Sequence, residues 1–418
     1  MRRRKFLKNG LVIGGAGLIS GAAAWHHFFD GRLFNPCELV DLPESLARND
    51  FMLEAFDGIN FNEVWDCHFH LVGNGLKPAF EGQTASPWLN PKMMSFTHPK
   101  QRLQYSFYLD ASCVANSEYA DKEFINTLQK TLATVPQGVR FMLLAFDFQH
   151  DSQGNQVRQH STFYIPNEFV AQVAAFNSQF EWIASIHPYR EDAIEQLEWC
   201  KANGARAVKW LPPAMNIDPS SEKCDSFYEK LVELDLPLLT HAGKEQAVHS
   251  DELQALSNPL LLRRPLELGV KVIVAHCASL GAGIDLESNA KHQVSNLQLF
   301  ARLMDDVSYQ NNLLADISAI NLFNRDIDEV KLIVSKQEWH DRLLFATDFP
   351  LTGVQPIISV TNLSSHGLLD SRYIEFLTEV RRYNSWLFDF LLKRFMRVGE
   401  IGFSRSVFHT KKHFIKAV

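Results

Sequence analysis

The chain has 418 residues, of which 46% are hydrophobic and 21% are charged. This length and apolar content indicate a globular protein with one large domain or two smaller ones. The formal net charge is -7, and no dense basic stripe interrupts the sequence. This balance argues against nucleic acid as the main partner.

The first 24 residues have the pattern of an export signal. A basic segment, Arg3–Lys8, precedes the apolar run Leu11–Trp25, which contains the small residues Ala22–Ala24. The paired arginines resemble those of a twin-arginine signal. That resemblance implies export of the folded protein, with its cofactor inserted, through the twin-arginine machinery to the periplasm. An uncleaved signal would instead anchor the chain to the membrane, although the run is short and Gly-rich for a membrane span.

The six cysteines are scattered and form no Cys-x-x-Cys pair. Cys67 and Cys277 lie in strand-like runs beside histidines, which indicates buried thiols. A disulfide framework is not expected in so long a chain, although export permits one bridge.

Residues 25–60 form a lead-in with two short helical pieces, and strand-like runs then alternate with amphipathic segments such as Ala193–Ala202 and Asp225–Leu234. This alternation predicts a (β/α)8 TIM barrel over residues 61–400, followed by a tail at 401–418. A doubly wound open sheet is the alternative. The predicted strands are Val64–Phe69, Phe141–Phe146, Trp182–Ile186, Ala205–Leu211, Pro237–Thr240, Val270–Ala275, Leu313–Ile317 and Leu343–Thr347.

Three further segments carry expectations of their own. The connection between the first two strands is extended, and within it residues 76–95 form either a lid over the site or a surface excursion. Residues 373–396 are predicted as one helix on the outer wall of the barrel, because apolar residues recur at helical spacing. Residues 411–413 of the tail are predicted to be solvated.

Reactive side chains stand where several predicted strands end. His68 and His70 lie on the same face of the first strand, because side chains alternate along a strand. The later members are Lys209 on strand four, His241 after strand five, His276 after strand six and Asp348 after strand eight. Only a closed barrel brings ends one, five, six and eight to one centre, so these residues favour the barrel over the open sheet.

These residue types suit a metal site. His68, His70 and His241 offer three neutral nitrogens, and Asp348 offers a carboxylate that can reach both an ion and a water molecule. His276 could then hydrogen-bond a developing oxyanion. Zinc suits His and carboxylate ligands best, though manganese or iron would also fit.

The ordered set of these residues, with the Thr347–Pro350 segment, resembles the amidohydrolase superfamily, and in particular its amidohydrolase-related branch, which includes decarboxylases. The resemblance covers about residues 60–395 and extends to Asn384. It implies that His68, His70, His241 and Asp348 are metal ligands. It also implies that His276 is catalytic around one ion, or is a ligand of a second.

Lys209 has three alternative roles. It could carry a carbamate that bridges two metal ions, contact a substrate carboxylate, or form an internal ion pair, because an unpaired lysine inside a barrel is costly. Other polar residues at strand ends are expected to form hydrogen bonds at the barrel mouth rather than to act in catalysis. These are Asp147, His187, Asp316 and Ser318.

Three functions follow as alternatives. The first is a metal-dependent hydrolase that uses activated water on an amide, ester or lactone of a small molecule. The second is a metal-dependent decarboxylase of a small carboxylic acid, with the same ligand set. The third is a ligand-binding barrel without catalysis.

Overall fold

The computed structural model describes residues 34–246 and 251–415. The predicted signal peptide, the start of the lead-in and the last three residues lie outside these ranges. Eight parallel strands stand near the predicted positions in the described ranges. They are β1 (Trp65–His70), β2 (Arg140–Leu144), β3 (Phe180–Ile183), β4 (Val208–Trp210), β5 (Leu238–His241), β6 (Val272–Ala275), β7 (Leu313–Asp316) and β8 (Leu343–Leu344).

The eight strands close into a barrel. Strands β1 to β3 form one parallel sheet, and β4 to β8 form another. A parallel bridge between Ala184 and Val208 joins β3 to β4, and a second between Phe69 and Phe349 joins β1 to the segment after β8. The open-sheet alternative is therefore wrong, and the predicted barrel is confirmed.

Helices alternate with the strands and surround them. The α-helices of the described residues are α1 (Glu44–Ala47), α2 (Asp50–Phe56), α3 (Pro99–Ala111), α4 (Ala120–Ala133), α5 (Asn167–Ala174), α6 (Ala193–Ala202), α7 (Pro212–Met215), α8 (Asp225–Glu233), α9 (Arg263–Glu267), α10 (Asn296–Met304), α11 (Ile327–Ser335), α12 (Val360–Ser365), α13 (Ile374–Tyr383), α14 (Ser385–Phe395) and α15 (Arg405–Phe408). Short strand pairs join residues 88–89 to 163–164, 282–284 to 293–295, and 397–398 to 401–402. No helix in the described part of the chain is long and apolar enough to cross a membrane.

The predicted helix over residues 373–396 is two helices, α13 and α14, which meet at Asn384. The backbone of Asn384 is extended, with φ -148° and ψ 105°, and its side chain caps α14 by accepting a hydrogen bond from Leu387 N. The same side chain donates to Thr131 O at 3.1 Å. Helix α14 packs outside the barrel, where Trp386 Nε1 donates to Asp66 Oδ2 of β1 at 2.9 Å.

The C-terminal tail closes the bottom of the barrel, which the sequence did not predict. Phe414 is buried and stacks on Trp65 with ring centroids 6.4 Å apart. Thr410 Oγ1 accepts from Trp65 N at 2.8 Å, and Lys411 pairs with Glu63. Within the predicted solvated segment 411–413, Lys412 is exposed, whereas Lys411 and His413 are half-buried. The residues on either side, Thr410 and Phe414, are buried, and the Phe414 ring fills space below the inner residues of the strands.

One disulfide joins the lead-in to the end of α3. It links Cys37 to Cys113 across a sequence separation of 76. The thiols of Cys67 and Cys277 are buried and free, as predicted. The bridge fixes the lead-in against a helix that forms one wall of the central cavity.

Candidate metal centre

A β-bulge in β1 positions the paired histidines. The pairing with β2 shifts register between Asp66 and Phe69, so that the residues between them oppose a single residue of β2. Cys67 packs in the inner core of the barrel, and Phe69 packs in the outer core. His68 and His70 then both face the cavity, which agrees with their predicted common face.

A cavity of about 370 Å³ lies at the C-terminal ends of the strands. Its wall is largely apolar and aromatic, and Leu89 and Met93 place part of the segment 76–95 against it. The structure therefore favours the covering role of that segment over a remote surface excursion. All six predicted site residues line the cavity: His68, His70, Lys209, His241, His276 and Asp348.

Three of these residues converge closely enough to hold one ion. His70 Nε2 lies 3.2 Å from Asp348 Oδ1, and His68 Nε2 lies 3.5 Å from the same oxygen. One ligand atom from each residue lies within 4.8 Å of the others. The His70 side chain is 24% exposed, so the group is open towards the cavity. Two imidazole nitrogens and a carboxylate oxygen match the donor set of a divalent zinc-type ion.

Asp316 orients His68. His68 Nδ1 donates to Asp316 Oδ2 at 3.0 Å, and this bond leaves Nε2 as the unprotonated nitrogen, which lies 3.1 Å from Lys209 Nζ and 3.5 Å from Asp348 Oδ1. The other oxygen of Asp316 accepts from the backbone N–H groups of His276 and Ser318, both at 3.0 Å. Burial, followed by the charge of Lys209, holds the pKa of His68 well below its usual value. His68 is therefore neutral at pH 7, as a metal ligand must be.

His276 faces the carboxylate from the neighbouring strand end. Its Nδ1 lies 2.8 Å from Ser318 Oγ, and its Nε2 lies 3.9 Å from Asp348 Oδ2. Residues 276–278 all have φ values between 51° and 56°, and Asp348 has φ 58°. Left-handed backbone at non-glycine residues costs free energy and tends to occur at functional sites.

His241 lies in the cavity but apart from the group of three. Its ring centroid is 5.4 Å from that of His276, its Nε2 is 3.2 Å from Gly243 O, and its Nδ1 is 3.5 Å from Glu245 Oε2. A ligand role for His241 stays a prediction, because its nitrogens here face other partners than Asp348.

Lys209 is buried, and its Nζ lies 3.1 Å from His68 Nε2. Within residues 34–246 and 251–415, no carboxylate oxygen lies within 4.0 Å of Nζ. The alternative of a direct internal ion pair is therefore wrong. Burial lowers the pKa of Lys209. The lower pKa reduces the free-energy cost of placing its amino group inside the barrel beside His68.

The remaining polar residues act as predicted, through hydrogen bonds. Asp147 Oδ2 accepts from His187 N at 2.9 Å and from Arg190 Nη1 at 3.0 Å. Asp316 and Ser318 contact the metal-centre histidines directly, so they are closer to the chemistry than the sequence alone indicated.

Sequence reasoning missed three charged residues of the cavity: Lys244, Glu245 and Arg325. They stand on loops after β5 and β7 rather than at strand ends. Lys244 follows His241 by three positions, and this proximity to a predicted site residue is the one signal that could have drawn attention to the loop. Arg325 carries no such signal, because only the folding of its loop brings it to the cavity.

The fold and the site define a closed α/β barrel with a candidate metal centre at the C-terminal ends of its strands. A family model described as Amidohydrolase matches residues 65–359, and the chain belongs to this family. Membership supports an enzyme and implies a divalent metal, in agreement with the buried His and Asp group.

Solved structures show distant likeness. A probable 2-pyrone-4,6-dicarboxylic acid hydrolase from Acinetobacter baumannii is 14% identical, with 78% of this chain and 99% of that chain covered and a TM-score of 0.40. A 4-oxalomesaconate hydratase from Rhodopseudomonas palustris is 16% identical, with 78% and 97% covered and a TM-score of 0.38. A 2,6-dihydroxybenzoate decarboxylase from Rhizobium is 12% identical, with 73% and 96% covered and a TM-score of 0.37. No curated protein matches the sequence significantly. These likenesses are too distant to bear on the reaction.

Proposed function

We propose that this protein is a metal-dependent hydrolase that cleaves an amide, ester or lactone of a small molecule. The observation that carries the proposal is the convergence of His68 Nε2, His70 Nε2 and Asp348 Oδ1 on the floor of the cavity. A water-filled, partly open position beside such a group is what metal-assisted hydrolysis requires.

His68, His70 and Asp348 would hold the ion, with His241 of the same cavity as a further ligand. A divalent ion supplies Lewis-acid activation of water and of the bond to be cleaved. Asp316 contributes by fixing the tautomer of His68, so that the Nε2 lone pair faces the centre.

Asp348 and His276 have separate proton tasks. Burial opposes ionisation of Asp348, but His68 and His70 outweigh it and lower the pKa of the carboxyl group. Asp348 is therefore ionised, and its second oxygen can accept a proton from the attacking water and pass it to the leaving group. His276, held by Ser318, can hydrogen-bond the substrate oxygen on which charge develops.

One ion is the simplest occupancy, and zinc is the ion that we propose. A second ion would use His276 and a Lys209 carbamate. His68, His276 and Asp316 also lie close enough together to form a second group of ligand atoms. We assign this group to hydrogen bonding and not to an ion, because Asp316 accepts from His68 Nδ1 and from His276 N.

The test of this proposal measures metal and turnover together. Protein folded in the cytoplasm is assayed by elemental analysis, and proton release is followed with aryl esters and lactones of different ring size. We expect about one equivalent of zinc and turnover that is lost in Asp348→Asn. The matched control is Asp328→Asn, because the Asp328 side chain is 94% exposed.

Release of carbon dioxide from aromatic acids, without ester or lactone hydrolysis, would overturn the proposal in favour of the decarboxylase. Protein without metal or turnover would favour the ligand-binding barrel. Mass spectrometry under conditions that preserve carbamates decides the number of ions: an unmodified Lys209 supports one ion, and an added carbon dioxide supports two.

We also propose that the protein is exported folded to the periplasm. The basic and apolar pattern of residues 1–24 supports this location, and so does the Cys37–Cys113 disulfide, since such bonds persist in oxidising compartments. Fusion of residues 1–24 to a folded reporter tests the proposal. Export that stops when Arg3 and Arg4 are both changed to Lys supports it, and export that is unaffected contradicts it.

A further inference from the structure

Arg381 is a buried arginine near the end of α13. It lies in the last turn of that helix and is 4% exposed. Its guanidinium carbon lies 4.6 Å from the ring centroid of Phe388 in α14, which is within the range of a cation–π contact. Because a buried charge is costly without polar partners, the groups that surround this guanidinium indicate its role.

The partners of Arg381 are carbonyl oxygens of one short segment of the chain. Nε and Nη2 both donate to Thr352 O, at 3.3 and 3.0 Å, and Nη2 also donates to Val354 O at 3.1 Å. Nη1 donates to Gln355 O at 3.2 Å and to Ile358 O at 2.9 Å. An arginine has five N–H donors on three nitrogens, and these bonds use all three nitrogens. One side chain therefore holds the backbone of this segment at four carbonyl oxygens.

The segment that Arg381 holds also forms part of the cavity wall. This wall segment, residues 349–358, follows Asp348 directly. Four of its side chains line the cavity: Pro350, Leu351, Val354 and Ile357. The wall segment thus presents apolar side chains to the cavity and carbonyl oxygens to the guanidinium.

Backbone hydrogen bonds join the wall segment to Asp348. Leu351 N donates to Asp348 O, and Val354 N donates to Leu351 O, both at 2.9 Å. On the side of β1, Asp348 N donates to His68 O at 2.9 Å. Asp348 has a left-handed φ of 58°, a conformation that a non-glycine residue keeps only where its surroundings hold it. A shift of the wall segment would therefore displace the Asp348 carboxylate.

The end of α3 supports the wall segment at a second point. Gly353 lies so close to α3 that a Cβ atom at this position would be 2.3 Å from Ala111 O. The close approach therefore requires glycine, which has no Cβ atom. Arg381 and the end of α3 together restrict the segment.

We propose that Arg381 is a positioning residue for the metal centre: its guanidinium holds the wall segment and thereby sets the place of the Asp348 carboxylate. Lysine is a poor substitute, because its single ammonium group does not reach carbonyl oxygens spread along the segment as the planar guanidinium does. The inference rests on the metal centre of the proposed hydrolase. It adds a residue that acts on zinc affinity through the backbone and not as a ligand.

The experiment measures zinc affinity by competition with a chelator, in Arg381→Lys and in the matched control Arg382→Lys. Arg382 is the next residue of the same helix, but it pairs with Glu38, and its side chain is 30% exposed. We expect the zinc affinity to fall about tenfold in Arg381→Lys and to change less than about twofold in the control.

A second arm separates positioning from stability. In an Asp348→Asn background, Arg381→Lys should lower the zinc affinity by less than about twofold, because the ligand on which Arg381 acts is already altered. A residue that only stabilises the barrel would give the same loss in both backgrounds. Near-UV circular dichroism of the metal-free variants establishes that they are folded.

A measurement on the unchanged protein serves where Arg381→Lys does not fold. Coupling between two sites is reciprocal, so zinc should protect the wall segment if that segment positions a zinc ligand. We expect amide hydrogen exchange at Leu351 and Val354 to slow at least about tenfold when zinc binds. The amide of Gln196, which bonds to Asp192 O in α6, is the control and should not change.

Three results would overturn the inference. The first is folded Arg381→Lys protein that binds zinc as tightly as the unchanged protein. The second is an equal loss of zinc affinity with and without Asp348→Asn, and the third is hydrogen exchange of the wall segment that zinc leaves unchanged.

The hydrolase proposal is decided separately. If the zinc affinity depends on Arg381 but no ester or lactone is turned over, the hydrolase proposal falls and the positioning role stands. If esters or lactones are turned over and the zinc affinity does not depend on Arg381, the hydrolase stands and the positioning role falls. Protein that binds no zinc contradicts both.

Discussion

Asp316 offers a direct test of how the barrel prepares its metal centre. The residue is fully buried and touches no predicted metal ligand except through hydrogen bonds. In Asp316→Asn, the amide oxygen would still accept the hydrogen bonds that Oδ1 now accepts from the backbone N–H groups of His276 and Ser318. The amide nitrogen would then face His68 Nδ1. Because that nitrogen donates, His68 would move its proton to Nε2 and lose the lone pair that faces Asp348.

The size of the effect follows from the bond that is lost. A buried hydrogen bond to a charged acceptor, here at 3.0 Å, contributes about 1.5–3 kcal/mol. This corresponds to about a 10- to 100-fold loss in metal affinity, which is the usual effect of changing such a supporting carboxylate. Competition with a zinc chelator measures it, and Asp328→Asn is the control for loss of one negative charge.

The reasoning is refuted if Asp316→Asn binds zinc as tightly as the unchanged protein while it keeps its fold. Near-UV circular dichroism and the urea midpoint of the metal-free variant establish the fold. A large loss of stability without metal would show instead that the carboxylate serves the barrel and not the ion.

Three further predictions concern stability. Phe414→Ala should lower the free energy of unfolding by about 3 kcal/mol in urea titrations, because it empties the floor of the barrel, and a change near zero would contradict the closing role of the tail. Unreduced, denatured protein should show four reactive thiols, and Cys37→Ser with Cys113→Ser should cost about 2–4 kcal/mol; six reactive thiols would exclude the bridge. Burial, together with a nearby histidine, lowers the pKa of His187 to about 3, so its contribution to stability is complete above pH 6.5 and is lost as the pH falls towards 3. At pH 5 the loss from His187 is about 2 kcal/mol, so urea midpoints should show that His187→Gln loses about 2 kcal/mol less stability between pH 7 and pH 5 than the unchanged protein or His366→Gln.

The barrel could be predicted because its strands are short apolar runs with reactive residues at one end. The same residues predict both the fold and the site, because only a closed barrel brings their strand ends to one centre. They are His68, His241, His276 and Asp348. The predicted strand positions agree with the structure to within a few residues. The eighth strand is the shortest, at residues 343–344, although the chain stays hydrogen-bonded to β1 as far as Phe349.

Other features depended on contacts that a sequence does not display. The break at Asn384 arises because its side chain caps one helix and reaches Thr131 at the same time. The sequence around Phe414 shows no local pattern that distinguishes a side chain buried at the bottom of the barrel from one in a solvated C-terminal segment. Arg325 came to the cavity through a loop whose turn includes Ala319 with φ 52°. In each case a distant partner, and not local propensity, decided the outcome.

The central claim is that His68, His70 and Asp348 share one divalent ion. The most direct measurement is a crystal structure of the protein with zinc, with anomalous diffraction recorded above and below the zinc edge. The account predicts one strong anomalous peak within bonding distance of His68 Nε2, His70 Nε2 and an oxygen of Asp348. A peak elsewhere in the cavity, or none at full zinc loading, would contradict it.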